Sequence, residues 1–125
     1  MRRKLVVGNW KMVGRLARNK ALLEGVLAGV RDLRNMDSAV CVPYPYLYQA
    51  QTLLQGSLVA WGAQNLSHIE EGAFTGEVAG GMLAEFACKY VIIGHSERRG
   101  LYLESDETIA MKFDAAIKAG LKHIL

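Results

Sequence analysis

Short apolar runs recur along the chain at Lys4 to Val7, Ala39 to Val42, Ser57 to Trp61, Lys89 to Ile93 and Lys122 to Leu125. Each is continuous rather than alternating. Continuous runs of this length predict strands buried on both faces, the habit of parallel sheets. Between the runs the apolar residues recur with helical period. Leu16, Leu23, Val26, Leu27, Val30 and Leu33 share one broad face, with Arg18, Lys20, Glu24 and Arg31 available for the other. The prolines of Val42-Pro43-Tyr44-Pro45 break any earlier helix, and Tyr46, Ala50, Leu53 and Leu54 then predict a second, shorter one. A third covers about Gly80 to Cys88 through Met82, Leu83 and Phe86, its first turn weakened by Gly80 and Gly81. A fourth starts at Ser105-Asp106-Glu107, a cap followed by acids, and closes at Lys118 and Gly120, with Ile109, Phe113, Ala116 and Ile117 as its buried stripe.

The predicted order is β-α-β-α-β-α-β-α-β with no linker, which means an α/β fold with right-handed crossovers onto a parallel sheet. One irregular stretch, Asn65 to Val78, is rich in glycine and charge, and a loop of that length in a compact domain is usually functional or interfacial. At 125 residues and 51% hydrophobic content, residues 1–125 predict a single domain. A charged fraction of 22% excludes wholesale disorder. The basic start Met1-Arg2-Arg3-Lys4 meets only three apolar residues before Gly8-Asn9, so we expect neither a signal peptide nor a membrane span, and a cytoplasmic location. Cys41 and Cys88 lack metal-type spacing and read as reduced packing residues. Fifteen Lys and Arg against twelve Asp and Glu leave a net charge of +3, but the basic residues are scattered, so no nucleic-acid partner is expected.

In parallel α/β sheets, ligands meet the loops that leave the carboxyl ends of the strands. The residues just after each apolar run there are Asn9, Trp10 and Lys11, then Gln64 and Asn65, then Gly94, His95, Ser96, Glu97, Arg98 and Arg99. Taken singly, Lys11 is an ordinary surface lysine, His95 a hydrogen-bonded histidine, and Glu97 to Arg99 a solvated charge cluster. Together the segments Gly8-Asn9-Trp10-Lys11-Met12, Gly62-Ala63-Gln64-Asn65, Gly72-Ala73-Phe74-Thr75-Gly76-Glu77 and Ile93-Gly94-His95-Ser96-Glu97-Arg98-Arg99 resemble the triosephosphate isomerase family in order and spacing. The resemblance runs essentially from Met1 to Leu125.

The resemblance implies half of a (β/α)8 barrel, four βα units and the start of a fifth strand, since a full barrel takes about 250 residues. It implies interconversion of dihydroxyacetone phosphate and glyceraldehyde 3-phosphate, in glycolysis and gluconeogenesis, without metal or other cofactor. That family is itself the standing example of a neutral histidine electrophile at a helix N-terminus working with a glutamate base. The roles carried over are catalytic for His95, Lys11, Asn9 and Glu97, substrate-binding for Asn9 and Lys11 toward a triose phosphate or other phosphate anion, and subunit contact for Thr75. Arg98 and Arg99 stay salt-bridge partners at the rim.

Two departures are visible. Val13 stands where the family usually has a polar turn residue before glycine, and Gly80 and Gly81 stand where better helix formers are usual. The family's base lies at the end of its sixth strand, followed by a lid, and its phosphate sits on turns after the seventh and eighth, all beyond Leu125. The expectation is therefore a very poor isomerase as a lone chain. A complementary C-terminal half would complete it, or the chain would form a homo-oligomer that covers its open edges, in the second case as a non-catalytic half-barrel.

Overall fold

The computed structural model describes residues 2–125. Five strands, β1 (Lys4–Asn9), β2 (Met36–Val42), β3 (Val59–Ala63), β4 (Tyr90–Ile92) and β5 (Lys122–Ile124), form one parallel sheet in sequence order. Helices α1 (Leu16–Val30), α2 (Leu47–Leu54), α3 (Gly80–Glu85), α4 (Ser96–Leu101) and α5 (Asp106–Lys118) join them, with a 3-10 turn at Tyr44–Tyr46 ahead of α2. The sheet is the half-barrel expected. Among the described residues no helix is long and apolar enough to cross a membrane.

Alternate residues divide the strands between two cores. Val40, Val42, Val59, Trp61, Ala63, Val91 and Ile93 point outward and pack with Leu23, Leu47, Leu54, Leu83 and Ile109 from the helices. Ala39, Cys41, Tyr90 and Ile92 point inward, with Val7, Ala60 and Ile124 against them. Burial on both faces holds for β2 to β4 only. The edge strands β1 and β5 are largely exposed or half-buried, because each has a neighbour on one side alone.

Several boundaries differ from expectation. β1 runs on to Asn9, since its ladder with β2 continues to the pair Asn9 and Cys41. β3 starts at Val59 rather than Ser57, whose hydroxyl instead accepts the Val59 amide at 3.1 Å. The stripe of α1 loses Leu16 and Leu33, both exposed, and centres on Leu23. In α5 the buried positions are Ile109, Lys112 and Ala116, while Ile117 is exposed. The start of α5 is as read: Ser105 Oγ accepts from the Thr108 amide at 3.2 Å, with Asp106 and Glu107 in the first turn. α4 was not foreseen as an element of its own. Its six residues carry three charges and no apolar stripe, and its cap is the His95 side chain.

Of the two glycines that open α3, Gly80 has a packing reason and Gly81, with open space where a Cβ would stand, has none. A Cβ on Gly80 would stand 2.9 Å from the Ala119 Cβ, so a bare backbone is what lets α3 lie against the end of α5. Cys41 and Cys88 are free and buried. Burial, and for Cys41 also its neighbour Cys88, pushes each thiol up to about 12, so neither supplies a thiolate at neutral pH.

The closest approach in the sheet is at Gly62, where an added Cβ would overlap the Tyr90 carbonyl group and lie 3.0 Å from the Tyr90 Cβ. Since that clash is with paired backbone, Gly62→Ala is expected to lower stability by about 1–3 kcal/mol or more. Urea unfolding followed by circular dichroism checks this. An unshifted midpoint would mean that β3 and β4 can part without cost.

Candidate functional site

Because all five strands are parallel, their carboxyl ends share one rim. There a cleft of about 360 Å³ is lined by Asn9, Lys11, Gln64, His95, Glu97 and Tyr102, among others. A larger groove of about 600 Å³ runs between α3, α5 and residues 67–71. Its lining includes His68, Glu70, Glu85, Asp114 and Lys118 but none of the residues that follow β1 or β4, so the site is assigned by its side chains at the strand ends and not by volume.

β1 delivers Asn9 and Lys11 through a sharp turn. Lys11 has φ +53°, a left-handed conformation that costs a non-glycine residue roughly 1–2 kcal/mol. Its amide donates to Asn9 Oδ1 at 2.9 Å, and its carbonyl accepts from Gln64 Nε2 at 2.8 Å. Gln64 Nε2 also lies 3.2 Å from Asn9 Oδ1, so that oxygen has two donors and the Asn9 Nδ2 amine is left for the cleft. Farther on, Tyr46 donates its hydroxyl to the Gly14 carbonyl at 3.0 Å, and Asn19 Oδ1 takes the Arg15 amide at 3.2 Å. Val13 stands exposed between these anchors.

β4 delivers His95. Gly94 has φ +68°, and a Cβ there would press on Ile109 at 3.0 Å, so glycine meets both a conformational and a steric demand. His95 Nδ1 accepts the Glu97 amide at 3.1 Å. With that lone pair engaged, the neutral ring carries its proton on Nε2. Glu97 Oε1 is 2.9 Å from Lys11 Nζ, and its Oε2 is 3.8 Å from His95 Nδ1. The hydrogen bond from Lys11, aided by the Lys11 charge, holds the Glu97 carboxyl below the usual carboxylate range. The structure thus brings Asn9, Lys11, His95 and Glu97 together. Thr75 is apart from them, exposed in the loop between β3 and α3.

The family model for triosephosphate isomerase matches residues 4–125. The chain belongs to the triosephosphate isomerase family. It is 58% identical over its whole length to the triosephosphate isomerase of Dechloromonas aromatica (strain RCB) and 59% identical to that of Thiobacillus denitrificans (strain ATCC 25259 / T1), covering 50% and 49% of those proteins. Among solved structures it resembles triosephosphate isomerase from Bartonella henselae, with a TM-score of 0.89 and 37% identity over 97% of this chain and 49% of that one. The chain spans about half the length of the curated relatives it matches.

Behind the rim of this triosephosphate isomerase half-barrel lies a charged cluster that sequence reasoning missed. Lys112 Nζ donates to Glu104 Oε2 at 2.7 Å and to Asn65 Oδ1 at 2.8 Å, while Arg98 Nε donates to Glu104 Oε2 at 3.1 Å. The Glu104 and Lys112 side chains are 4% and 8% exposed. Tyr44 closes the group, its hydroxyl on the Asn65 carbonyl at 2.8 Å, with its ionisation pushed up mainly by burial. The only available signal was the helical position of Lys112, three residues after Ile109 and four before Ala116, on the face that packs inward. Arg99 pairs instead with Asp106 at 2.7 Å, near the surface.

Burial alone would raise the Glu104 carboxyl, but the hydrogen bonds from Lys112 and Arg98 outweigh it and the net shift is downward. A carboxyl lowered by folding stabilises fully above its unfolded value near 4.5, and that stability is lost as pH falls through the lower folded value. Acid titration of the melting temperature should therefore show a loss below pH 4.5 that Glu104→Gln removes. Lys112→Met, which leaves the buried carboxylate with Arg98 as its remaining charged partner, should cost about 1–3 kcal/mol at neutral pH. Equal melting curves for Lys112→Met and wild type would show the pair to be solvated.

Proposed function

We propose that the chain supplies the cation and electrophile of a triosephosphate isomerase active site, acting in the cytoplasm on dihydroxyacetone phosphate and glyceraldehyde 3-phosphate. The observation that carries this reading is the joining of two rim segments through one carboxylate: Glu97 holds Lys11 Nζ at 2.9 Å while its own amide occupies His95 Nδ1. In this reading the proton on Nε2 is turned to the cleft that His95 lines. It donates to the substrate carbonyl oxygen as a base removes the neighbouring carbon-bound proton, and Lys11 balances both the phosphate and the negative charge that grows on the enediolate oxygens. Asn9 adds a neutral donor through Nδ2. The proton-abstracting carboxylate and the remaining phosphate contacts come, in this reading, from a complementary half-barrel docked on β1 and β5.

The test is complementation. Mixing the 125-residue chain with the C-terminal half of the Dechloromonas aromatica relative should yield isomerase activity, measured with a coupled dehydrogenase. His95→Gln should lower kcat by roughly 10²–10⁴-fold, the usual span for a proton-transfer group. Lys11→Met should lower kcat/KM by a comparable factor. Activity indifferent to His95, or none with both halves folded, rejects the reading.

A second reading, a non-catalytic half-barrel that self-associates, is favoured by apolar exposure at the same rim. Met12 is 95% exposed and Leu103 83%, with Leu101 and Tyr102 also open. Thr75, at an exposed loop, would serve as subunit contact. Sedimentation of the chain alone bears on this: a folded monomer at high concentration removes it, and a dimer without isomerase activity favours it.

A further inference from the structure

We infer that Gln64 is a positioning residue for Lys11, the strut that holds the lysine in its left-handed conformation so that Nζ reaches the cleft. The inference rests on Lys11 being the cation of the reading above and deepens it. Lys11 lies between two peptide planes, and its dihedrals are fixed only if both planes are fixed. The preceding plane is held by the Lys11 amide on Asn9 Oδ1 at 2.9 Å. The following plane is held by its carbonyl, which accepts from Gln64 Nε2 at 2.8 Å. Among the described residues nothing else donates to that carbonyl. The next residue, Met12, is almost fully exposed, and the loop has no further anchor until Gly14.

Gln64 is suited to the role because its own base is rigid. It follows the last residue of β3, Ala63, which is in register with both Val42 and Val91 in the middle of the sheet. Its successor Asn65 is tied by Lys112 through the side chain and by Tyr44 through the carbonyl. The direction of the amide is also fixed. Nε2 faces three oxygens, those of Asn9 Oδ1, the Lys11 carbonyl and the Cys41 carbonyl, at 2.8 to 3.2 Å. A reversed amide would set Oε1 against three acceptors, so only a donor fits there. The same hydrogens therefore orient the Asn9 amide and the Lys11 backbone together, and the buried cluster behind Asn65 is linked to the rim through this side chain.

The experiment uses the 125-residue chain itself. Gln64→Met keeps length and volume and removes the donors; Gln64→Glu keeps shape and presents only acceptors at neutral pH. In either variant the three-bond amide coupling and carbon shifts of Lys11, which report φ, should move from left-handed values to those of an averaged loop. Trypsin cleavage after Lys11 should quicken about tenfold, the effect of losing one hydrogen bond of ordinary strength, while cleavage after Lys20 in α1 stays constant. A folded variant with unchanged Lys11 couplings and cleavage overturns the inference. A wild-type measurement guards against variants that fail to fold: the Gln64 side-chain amide protons should exchange more slowly than those of exposed Gln55, and equal exchange also overturns it. In the complementation assay, kcat/KM should fall about tenfold for Gln64→Met. No activity from wild type counts against the isomerase reading, and the Lys11 couplings then decide the positioning role by themselves.

Discussion

Everything at the rim depends on the parallel ladder. Asn9 pairs with Cys41, Val42 with Ala63, and Ala63 with Val91, so the last residues of β1, β2, β3 and β4 end at nearly one level. An antiparallel strand anywhere in this order would send one of those ends to the opposite side. Parallel order in turn requires the crossover helices, and these supply the outer core that buries Val40, Val42, Val59 and Val91. The hydrophobic effect thus sets strand direction, and strand direction brings Lys11, Gln64 and His95 within reach of one another although up to 84 residues separate them in sequence.

The rim itself is polar, and its order comes from hydrogen bonds that replace water one for one. Such bonds contribute little net stability, about 1 kcal/mol each, but leaving a part-buried acceptor without a donor is costly. This asymmetry favours a single arrangement. Asn9 Oδ1, the Lys11 carbonyl and the Cys41 carbonyl share one donor group, and the Glu97 amide has His95 Nδ1 as its partner. The unfavourable φ of Lys11 is tolerable because moving it would unpair several groups at once.

What could be read from sequence follows the same division. The apolar runs located all five strands, for β2 to β4 because burial on two faces leaves little room for polar residues, while β1 and β5 carry such runs at exposed sheet edges, and the rim residues followed from counting past each run. The capped start of α5 was legible because Ser105 and the acids after it act locally. The helix α4 was hidden, since its six residues have no apolar face to reveal the period and its cap is a histidine. Lys112 was hidden for another reason. A lysine on a helix reads as solvent-facing, and only the presence of Glu104 eight residues earlier, folded back beneath α5, makes its burial possible. Gly80 read as a weak helix start, whereas its reason lies 39 residues away at Ala119.

The placement of these contacts bears on how the proposed site, divided between two halves, would work. Lys11 is set by Asn9 and Gln64, His95 by Gly94 and the Glu97 amide, and Glu97 by Lys11, all from within residues 9–97. The carboxylate behind them is neutralised by Lys112 and Arg98, also from this chain, although Glu104 Oε1 is buried with no partner among the described residues. On the proposed reading, cation and electrophile are therefore preorganised before a complementary half docks. On that reading, docking on β1 and β5 would have to cover strand edges and exposed side chains such as Val6, which are matters of backbone pairing and apolar area, and not to build this part of the site. Affinity between halves and geometry at the cleft become separable properties, because the residues that determine one are largely not those that determine the other.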